Sequence, residues 1–159
     1  YILLYILTYA YNPYPEILNI IEYVKNKVNL PVVILDGSLC TNKIEGAQNI
    51  KCAGPLEFLR LIKDADFIIT TSFHGTAFSL NFERPFISVL SNNSKSDTRI
   101  LDLLKVVNAK DRALVYNCSV NDISLDMDYN IITPKVEMIR KESYEYLKMV
   151  LKDCTKNMA

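Results

Sequence analysis

The chain has 159 residues, of which 50% are hydrophobic and 23% are charged, and its 18 basic side chains balance its 18 acidic ones. This length predicts a single domain over residues 1–159 that buries a full core without help from metals or disulfides. With no net charge and no basic stripe, the sequence excludes nucleic acid as an expected partner, so any anion must be held by a local site.

The cysteines and the start of the chain indicate the expected setting. Four widely spaced cysteines and a single histidine do not form a zinc-binding pattern: Cys40, Cys52, Cys118 and Cys154. We expect reduced, partly buried thiols in a cytoplasmic protein. No signal-peptide or membrane-span pattern occurs in the sequence. Since the chain begins without methionine, inside a hydrophobic run, we expect a piece of a longer protein.

Strands and helices are predicted to alternate along the chain. Short apolar runs bounded by Gly, Pro or polar residues predict buried strands, and apolar residues at helical spacing predict the helices. In chain order we predict a strand over 1–9, a helix over 16–27, a strand over 32–35, a short strand near Ile50, a helix over 54–63, a strand over 67–70, a helix over 76–83, a strand over 86–90, a helix over 99–107, a short strand over 113–116, and a last helix from near Pro134, about 135–153. Lys141 and Glu145 are expected to pair on the last helix.

This order predicts an α/β fold whose open, doubly wound parallel sheet is of the Rossmann-like type, with helices on both faces. No internal repeat or low-complexity segment interrupts the pattern. Ligands of such sheets bind outside the carboxyl ends of the strands. The residues that follow the strand over 67–70 are therefore the first place to expect a site.

The turn after that strand holds Ser72, Phe73, His74 and Gly75, and His74 is the only histidine. A strand that passes into a helix presents unpaired backbone N–H groups and the positive end of the helix dipole, which favour an anion. An imidazole there adds a group that exchanges a proton near neutral pH. Ser72 can cap the helix, Gly75 allows close approach of a ligand or a left-handed backbone, and Thr76 offers a hydroxyl donor. From spacing alone, His74 either meets the anion or hydrogen-bonds a neighbouring loop.

Other candidates have a structural interpretation beside the functional one. Arg99 opens a helix after a polar loop, so it either reaches an anionic ligand or is a solvated arginine. Arg112 is expected to be structural, and Glu57 stabilises the first turn of its helix whether or not it contacts a ligand. The remaining candidates are expected to be core or interface aromatics and solvated loop carboxylates: Tyr1, Tyr5, Tyr9, Tyr11, Asp122, Asp126 and Asp128.

One continuous segment resembles a known family. Residues 54–90 begin with Gly-Pro-Leu-Glu-Phe, pass through an apolar strand into Ser-Phe-His-Gly, and end in the next strand. This segment resembles the polysaccharide pyruvyl transferase family. Looser agreement continues through four further residues: Arg99, Leu103, Leu104 and Arg112. One departure is the stretch 106–108, where a glycine-containing turn is expected before Arg112, and it leaves the role of Arg112 open.

The resemblance implies a two-lobed enzyme of the glycosyltransferase-B type, of which this chain is the C-terminal lobe and is inactive alone. Such enzymes transfer a pyruvyl group from phosphoenolpyruvate to a hydroxyl pair of a bacterial cell-surface polysaccharide or its precursor, forming a ketal. The implied partners are phosphoenolpyruvate, the saccharide acceptor and an N-terminal lobe of the same chain, with no cofactor and no metal. His74 is the implied catalytic residue. The implied substrate-binding residues are Ser72, Phe73, Gly75, Thr76 and Arg99, with Glu57 and Arg112 as possible additions.

Two other functions remain open from the sequence. A glycosyltransferase lobe of the same architecture would bind a nucleotide-sugar, but it requires a ribose-binding carboxylate after a later strand, and no convincing candidate is present. A non-catalytic domain would keep the fold and use the pocket for recognition or not at all. The intact turn from Ser72 to Gly75 argues against this second alternative.

Overall fold

A computed structural model describes residues 1–8, 11–35, 44–91, 97–115 and 123–156, with the side chains of 153–156 set aside. In chain order the elements are β1 (Ile2–Tyr5), α1 (Ile17–Val28), β2 (Val32–Leu35), β3 (Gln48–Ile50), α2 (Pro55–Lys63), β4 (Phe67–Thr70), α3 (Phe73–Asn81), β5 (Phe86–Leu90), α4 (Thr98–Val106), a 3₁₀ turn (Lys110–Arg112), β6 (Ala113–Val115) and α5 (Tyr129–Lys156). Within these ranges, no helix is long and apolar enough to cross a membrane.

The strands of the described residues form one six-stranded parallel sheet in the order β3-β2-β1-β4-β5-β6. From β1 to β3 the chain adds each strand on one side of the sheet, and from β4 to β6 it adds each strand on the other side. The order of the strands therefore reverses between β1 and β4, which is the switch point of the sheet. This order confirms the predicted Rossmann-like, doubly wound fold. The last residues of four strands lie in one row across the sheet: Ile50, Leu35, Tyr5 and Thr70.

Both faces of the sheet are covered by helices. Alternate strand residues point to opposite faces, so Ile2 and Leu4 pack with the buried side of α1, while Leu3 packs into a second cluster. That second cluster includes residues of α2, α3, α4 and α5, such as Ile62 and Leu80. Because each central strand is buried on both sides, its sequence is apolar without alternation, which is the pattern that predicted it.

Two helices begin at least three residues earlier than predicted. Helix α3 begins at Phe73 instead of residue 76, because Ser72 caps it and places His74 within its first turn. Helix α5 begins at Tyr129 instead of near Pro134 and ends at Lys156. Asp128 is an exposed residue before α5, as expected, and its Oδ1 also accepts from the N–H of Asn130 at 2.9 Å, so it caps this helix.

Several smaller expectations have a definite outcome. Glu145 pairs with Lys148 at 3.2 Å instead of with Lys141. Cys52 is exposed instead of partly buried. Some expectations concern groups outside the described part of the structure. These groups are Tyr9, Tyr116, Asp122, the thiols of Cys40 and Cys118, and the side chain of Cys154.

Candidate functional site

The junction between β4 and α3 is held by the buried hydroxyl of Thr70. Its Oγ1 donates to the carbonyl of Tyr5 at 2.7 Å and accepts from the N–H of Ser72 at 3.0 Å. Ser72, which is only 3% exposed, then accepts from the N–H of Gly75 through its own Oγ at 3.4 Å. These bonds fix the first turn of α3 to the ends of β1 and β4, the two strands at the switch point.

Gly75 and Thr76 support this junction from within. A Cβ added at Gly75 would lie 2.3 Å from Thr70 Oγ1, so the glycine permits α3 to pack closely against β4, and its backbone is not left-handed. Thr76 is fully buried; its Oγ1 donates to the Ser72 carbonyl at 3.0 Å and shares a 2.7 Å hydrogen bond with Ser88 Oγ. Both residues are buried, and their contacts position the start of the helix.

His74 lies exposed on the first turn of α3. Its ring contacts Phe73 edge to face, with 6.0 Å between centroids, and within the described residues its imidazole has no hydrogen-bond partner. A hydrogen bond to a neighbouring loop is thus not found in the described part of the chain. The backbone N–H groups of Phe73 and His74 also lack acceptors among these residues, as expected for the first turn of a helix.

The His74 side chain faces a cleft of about 440 Å³. The described residues that line this cleft are Tyr5, Leu35, Lys51, Cys52, Ala53, Pro55, Phe58, His74 and Phe78. Tyr5 and Leu35 are the last residues of β1 and β2, and Lys51 directly follows β3. The cleft therefore lies at the carboxyl edge of the sheet, where ligands of open parallel sheets bind.

Aromatic side chains build one wall of the cleft. The rings of Tyr5 and Phe58 meet edge to face with centroids 5.1 Å apart, and Phe58 meets Phe78 in the same way at 5.7 Å. Such pairs prefer this edge-on geometry and resist rearrangement. A firm apolar wall beside an imidazole lowers the local dielectric, so charges that a ligand brings interact more strongly there.

Arg99 lies near the first turn of α3 but is not among the described residues that line the cleft. Its guanidinium carbon sits 5.5 Å from the centroid of the Phe73 ring, a cation–π contact beside the helix terminus. Asp97, which sequence analysis missed, is 6% exposed and accepts from the Ser91 N–H at 2.7 Å and the Ser91 Oγ at 2.9 Å. It fixes the start of α4, and hence the base of Arg99, to the end of β5.

Glu57 and Arg112 are not among the described residues that line the cleft. Glu57 Oε2 accepts from the N–H of Gly54 at 2.7 Å, which caps α2. Arg112 is 3% exposed; it binds Asp111 Oδ2 through two nitrogens at 2.9 and 2.5 Å and donates to the Ser124 carbonyl at 2.9 Å. Since it precedes β6, it lies at the amino edge of the sheet, opposite the cleft.

A family model described as polysaccharide pyruvyl transferase matches residues 2–94, more than half of the chain. The chain belongs to the polysaccharide pyruvyl transferase family. The name of the family classes the chain as a transferase. A comparison with curated proteins finds no match. The matched part of this pyruvyl transferase family member contains the cleft and His74, whereas Arg99 and Arg112 lie beyond it.

The structure also explains how this family member replaces the glycine expected before Arg112. Asn108 follows α4 with a left-handed backbone, φ 60°, a conformation that asparagine tolerates better than most other residues. The N–H of Ala109 then reaches back to the Leu104 carbonyl at 2.8 Å, which closes the helix end. The turn is therefore preserved without a glycine.

Proposed function

We propose that the chain transfers a pyruvyl group from phosphoenolpyruvate to two hydroxyls of a cell-surface polysaccharide or its precursor, forming a ketal. The observation that carries this proposal is the exposed imidazole of His74 on the first turn of α3, beside a cleft at the carboxyl edge of the sheet. The family match covers this whole region. The donor requires a site for two anionic groups and an acid, and the cleft offers groups suited to each.

The first turn of α3 is suited to the phosphate of the donor. The N–H groups of Phe73 and His74 have no acceptors among the described residues, and the helix dipole adds partial positive charge at the same end. Arg99, held over the Phe73 ring, adds a full positive charge nearby. A guanidinium can bind a phosphate through two parallel hydrogen bonds.

The reaction follows from the chemistry of phosphoenolpyruvate. Its double bond takes up a proton at the methylene carbon, which leaves the central carbon electrophilic, and the first sugar hydroxyl adds there and releases its proton. The bond between the central carbon and the phosphate oxygen then breaks, and the electron pair leaves with the phosphate. The second hydroxyl adds to the same carbon and loses its proton. The products are the ketal and inorganic phosphate.

In this proposal His74 delivers the proton to the methylene carbon or, as an imidazolium, binds the phosphate. Its side chain is exposed at the cleft and has no hydrogen-bond partner among the described residues, which suits either role. General acid catalysis typically contributes about a hundredfold to ten-thousandfold in rate. Ser72, Gly75 and Thr76 hold the turn that carries His74, since their contacts are directed to the protein.

We further propose that the chain acts as the C-terminal lobe of a two-lobed cytoplasmic enzyme. An N-terminal lobe would then supply contacts to the saccharide, because no described residue of this cleft is assigned to the acceptor. The proposal needs no cofactor and no metal, since the proton, the anion contacts and the nucleophilic hydroxyls are sufficient for the steps described.

Transfer in D₂O tests this function. The full-length protein is incubated with phosphoenolpyruvate carrying ¹³C in its pyruvyl carbons and with a cell-envelope glycan fraction as acceptor, and the products are followed by NMR. We expect a ¹³C ketal whose methyl group contains one deuterium, with inorganic phosphate released in equal amount. A phosphorylated sugar, or consumption of a nucleoside diphosphate sugar in place of phosphoenolpyruvate, would contradict the proposal.

A further inference from the structure

Lys51 reaches the cleft from the opposite side to His74. Ile50, Leu35, Tyr5 and Thr70 lie in one row of paired residues, and Lys51 follows Ile50 directly. Three strand spacings of about 4.8 Å separate β3 from β4, so the backbones that carry Lys51 and His74 begin roughly 14 Å apart. Both residues line the same cleft, so they lie on its two sides with the ends of β2 and β1 between them.

The ammonium group of Lys51 has no ion pair or hydrogen bond within the described residues, and its side chain is exposed. Among the described residues that line the cleft there is no Asp or Glu, and the neighbouring carboxylate of Glu57 is bound to the N–H of Gly54 and forms no ion pair with Lys51. With the positive terminus of α3 on the other side, the cleft is positive at both ends and apolar between them. A small molecule with two anionic groups matches this arrangement.

We propose that Lys51 is the residue that binds the carboxylate of the donor, while the first turn of α3 holds its phosphate. This inference rests on the proposed function. The two free N–H groups of a helix terminus suit a phosphate, which leaves the carboxylate at the far end of the molecule, toward β3. A lysine ammonium, a compact charge on a flexible four-carbon stem, suits this role. Lys51 therefore selects donors that carry a carboxylate in addition to a phosphate.

Binding measurements separate this role from catalysis and need no acceptor. Isothermal titration calorimetry on the full-length protein gives dissociation constants for phosphoenolpyruvate, pyruvate and inorganic phosphate. A hydrogen bond to a charged group corresponds to roughly tenfold to hundredfold in affinity. We expect Lys51→Met to weaken the binding of phosphoenolpyruvate and pyruvate by that factor and to leave the binding of inorganic phosphate unchanged. Lys51→Arg, which keeps the charge, should recover most of the loss.

The matched control is Lys63→Met, which removes an exposed lysine at the end of α2 that does not line the cleft. This control should bind all three anions as the wild type does. Unchanged melting temperatures without ligand would show that neither substitution alters the fold. If Lys51→Met binds phosphoenolpyruvate as tightly as the wild type, or if its affinities for phosphate and pyruvate fall by the same factor, the inference is wrong and the proposed function stands. A wild type that binds no phosphoenolpyruvate would overturn both.

Discussion

Replacing Gly75 by alanine tests how the structure positions its candidate site. Alanine is the better helix former by about 1 kcal/mol, so a glycine inside α3 would ordinarily be improved by this change. Here the new methyl carbon would lie 2.3 Å from Thr70 Oγ1 and 3.1 Å from Thr70 Cγ2. Thr70 cannot move aside easily, because its hydroxyl is bonded to the Tyr5 carbonyl and to the Ser72 N–H.

The expected cost follows from these contacts. Overpacking a rigid core site costs about 1–3 kcal/mol, and weakening two buried hydrogen bonds adds about 1 kcal/mol each. After the gain in helix propensity, we expect Gly75→Ala to lower the free energy of unfolding by about 2–4 kcal/mol. Thr70→Ala removes the closest atom, Oγ1, together with Cγ2, and leaves only the Thr70 Cβ at 3.0 Å. The double variant should therefore be more stable than the sum of the single losses by about 1 kcal/mol or more.

Urea unfolding monitored by far-ultraviolet circular dichroism measures these differences. A loss of 2 kcal/mol lowers the midpoint by about 1 M for a typical urea dependence of a small domain. Gly54→Ala serves as the control, since its added Cβ would meet only Glu57 Oε2 at 3.4 Å, and it should change stability by less than about 0.5 kcal/mol. A Gly75→Ala variant that is as stable as the wild type, with no coupling to Thr70, would refute the packing argument.

Two further predictions concern stability. Burial, with a smaller contribution from Glu83, raises the pKa of Tyr129 above its ordinary 10.0, and its hydroxyl donates to the Arg84 carbonyl at 2.6 Å. The unfolded chain therefore loses this proton first, so the free energy of unfolding should fall above pH 10 by up to about 1.4 kcal/mol per pH unit. In urea unfolding, the wild type should be about 1 kcal/mol more stable than Tyr129→Phe at pH 8, and this advantage should shrink as the pH is raised to 11. An advantage that is independent of pH would contradict this assignment. Asp97→Asn weakens two hydrogen bonds to a buried carboxylate, so it should cost about 1–2 kcal/mol by the same method, and a neutral effect would show that Asp97 does not fix α4.

The central strands were predictable because burial on both faces leaves an unbroken apolar run. The predicted strands over 32–35, 67–70 and 86–90 have the bounds of β2, β4 and β5, whereas the strand predicted over 1–9 is only Ile2–Tyr5. Edge strand β3 is three residues long and partly exposed, so its sequence carries little apolar signal. Without a definite end for β3, the cleft position of Lys51 could not be inferred from the sequence.

The start of α3 was misjudged because its stabilising contacts are not local in sequence. Gly75 and the hydroxyl residues around it resemble a loop, yet Thr76 meets Ser88 across twelve residues, and Thr70 meets Tyr5 across sixty-five. The motif located His74 at the carboxyl edge of the sheet, but it could not distinguish residues that face the cleft from residues that build the turn. The capping bond of Asp128 was missed for a related reason, since a single cap has no periodic pattern.

The most direct test of the central claim is the rate of ketal formation by the full-length protein with His74→Ala, compared with the wild type under saturating phosphoenolpyruvate. His74 is exposed and has no hydrogen-bond partner among the described residues, so the variant should fold normally, with an unchanged melting temperature. We predict a rate that is lower by about a hundredfold to ten-thousandfold. A correctly folded variant that forms the ketal at nearly the wild-type rate would contradict the account.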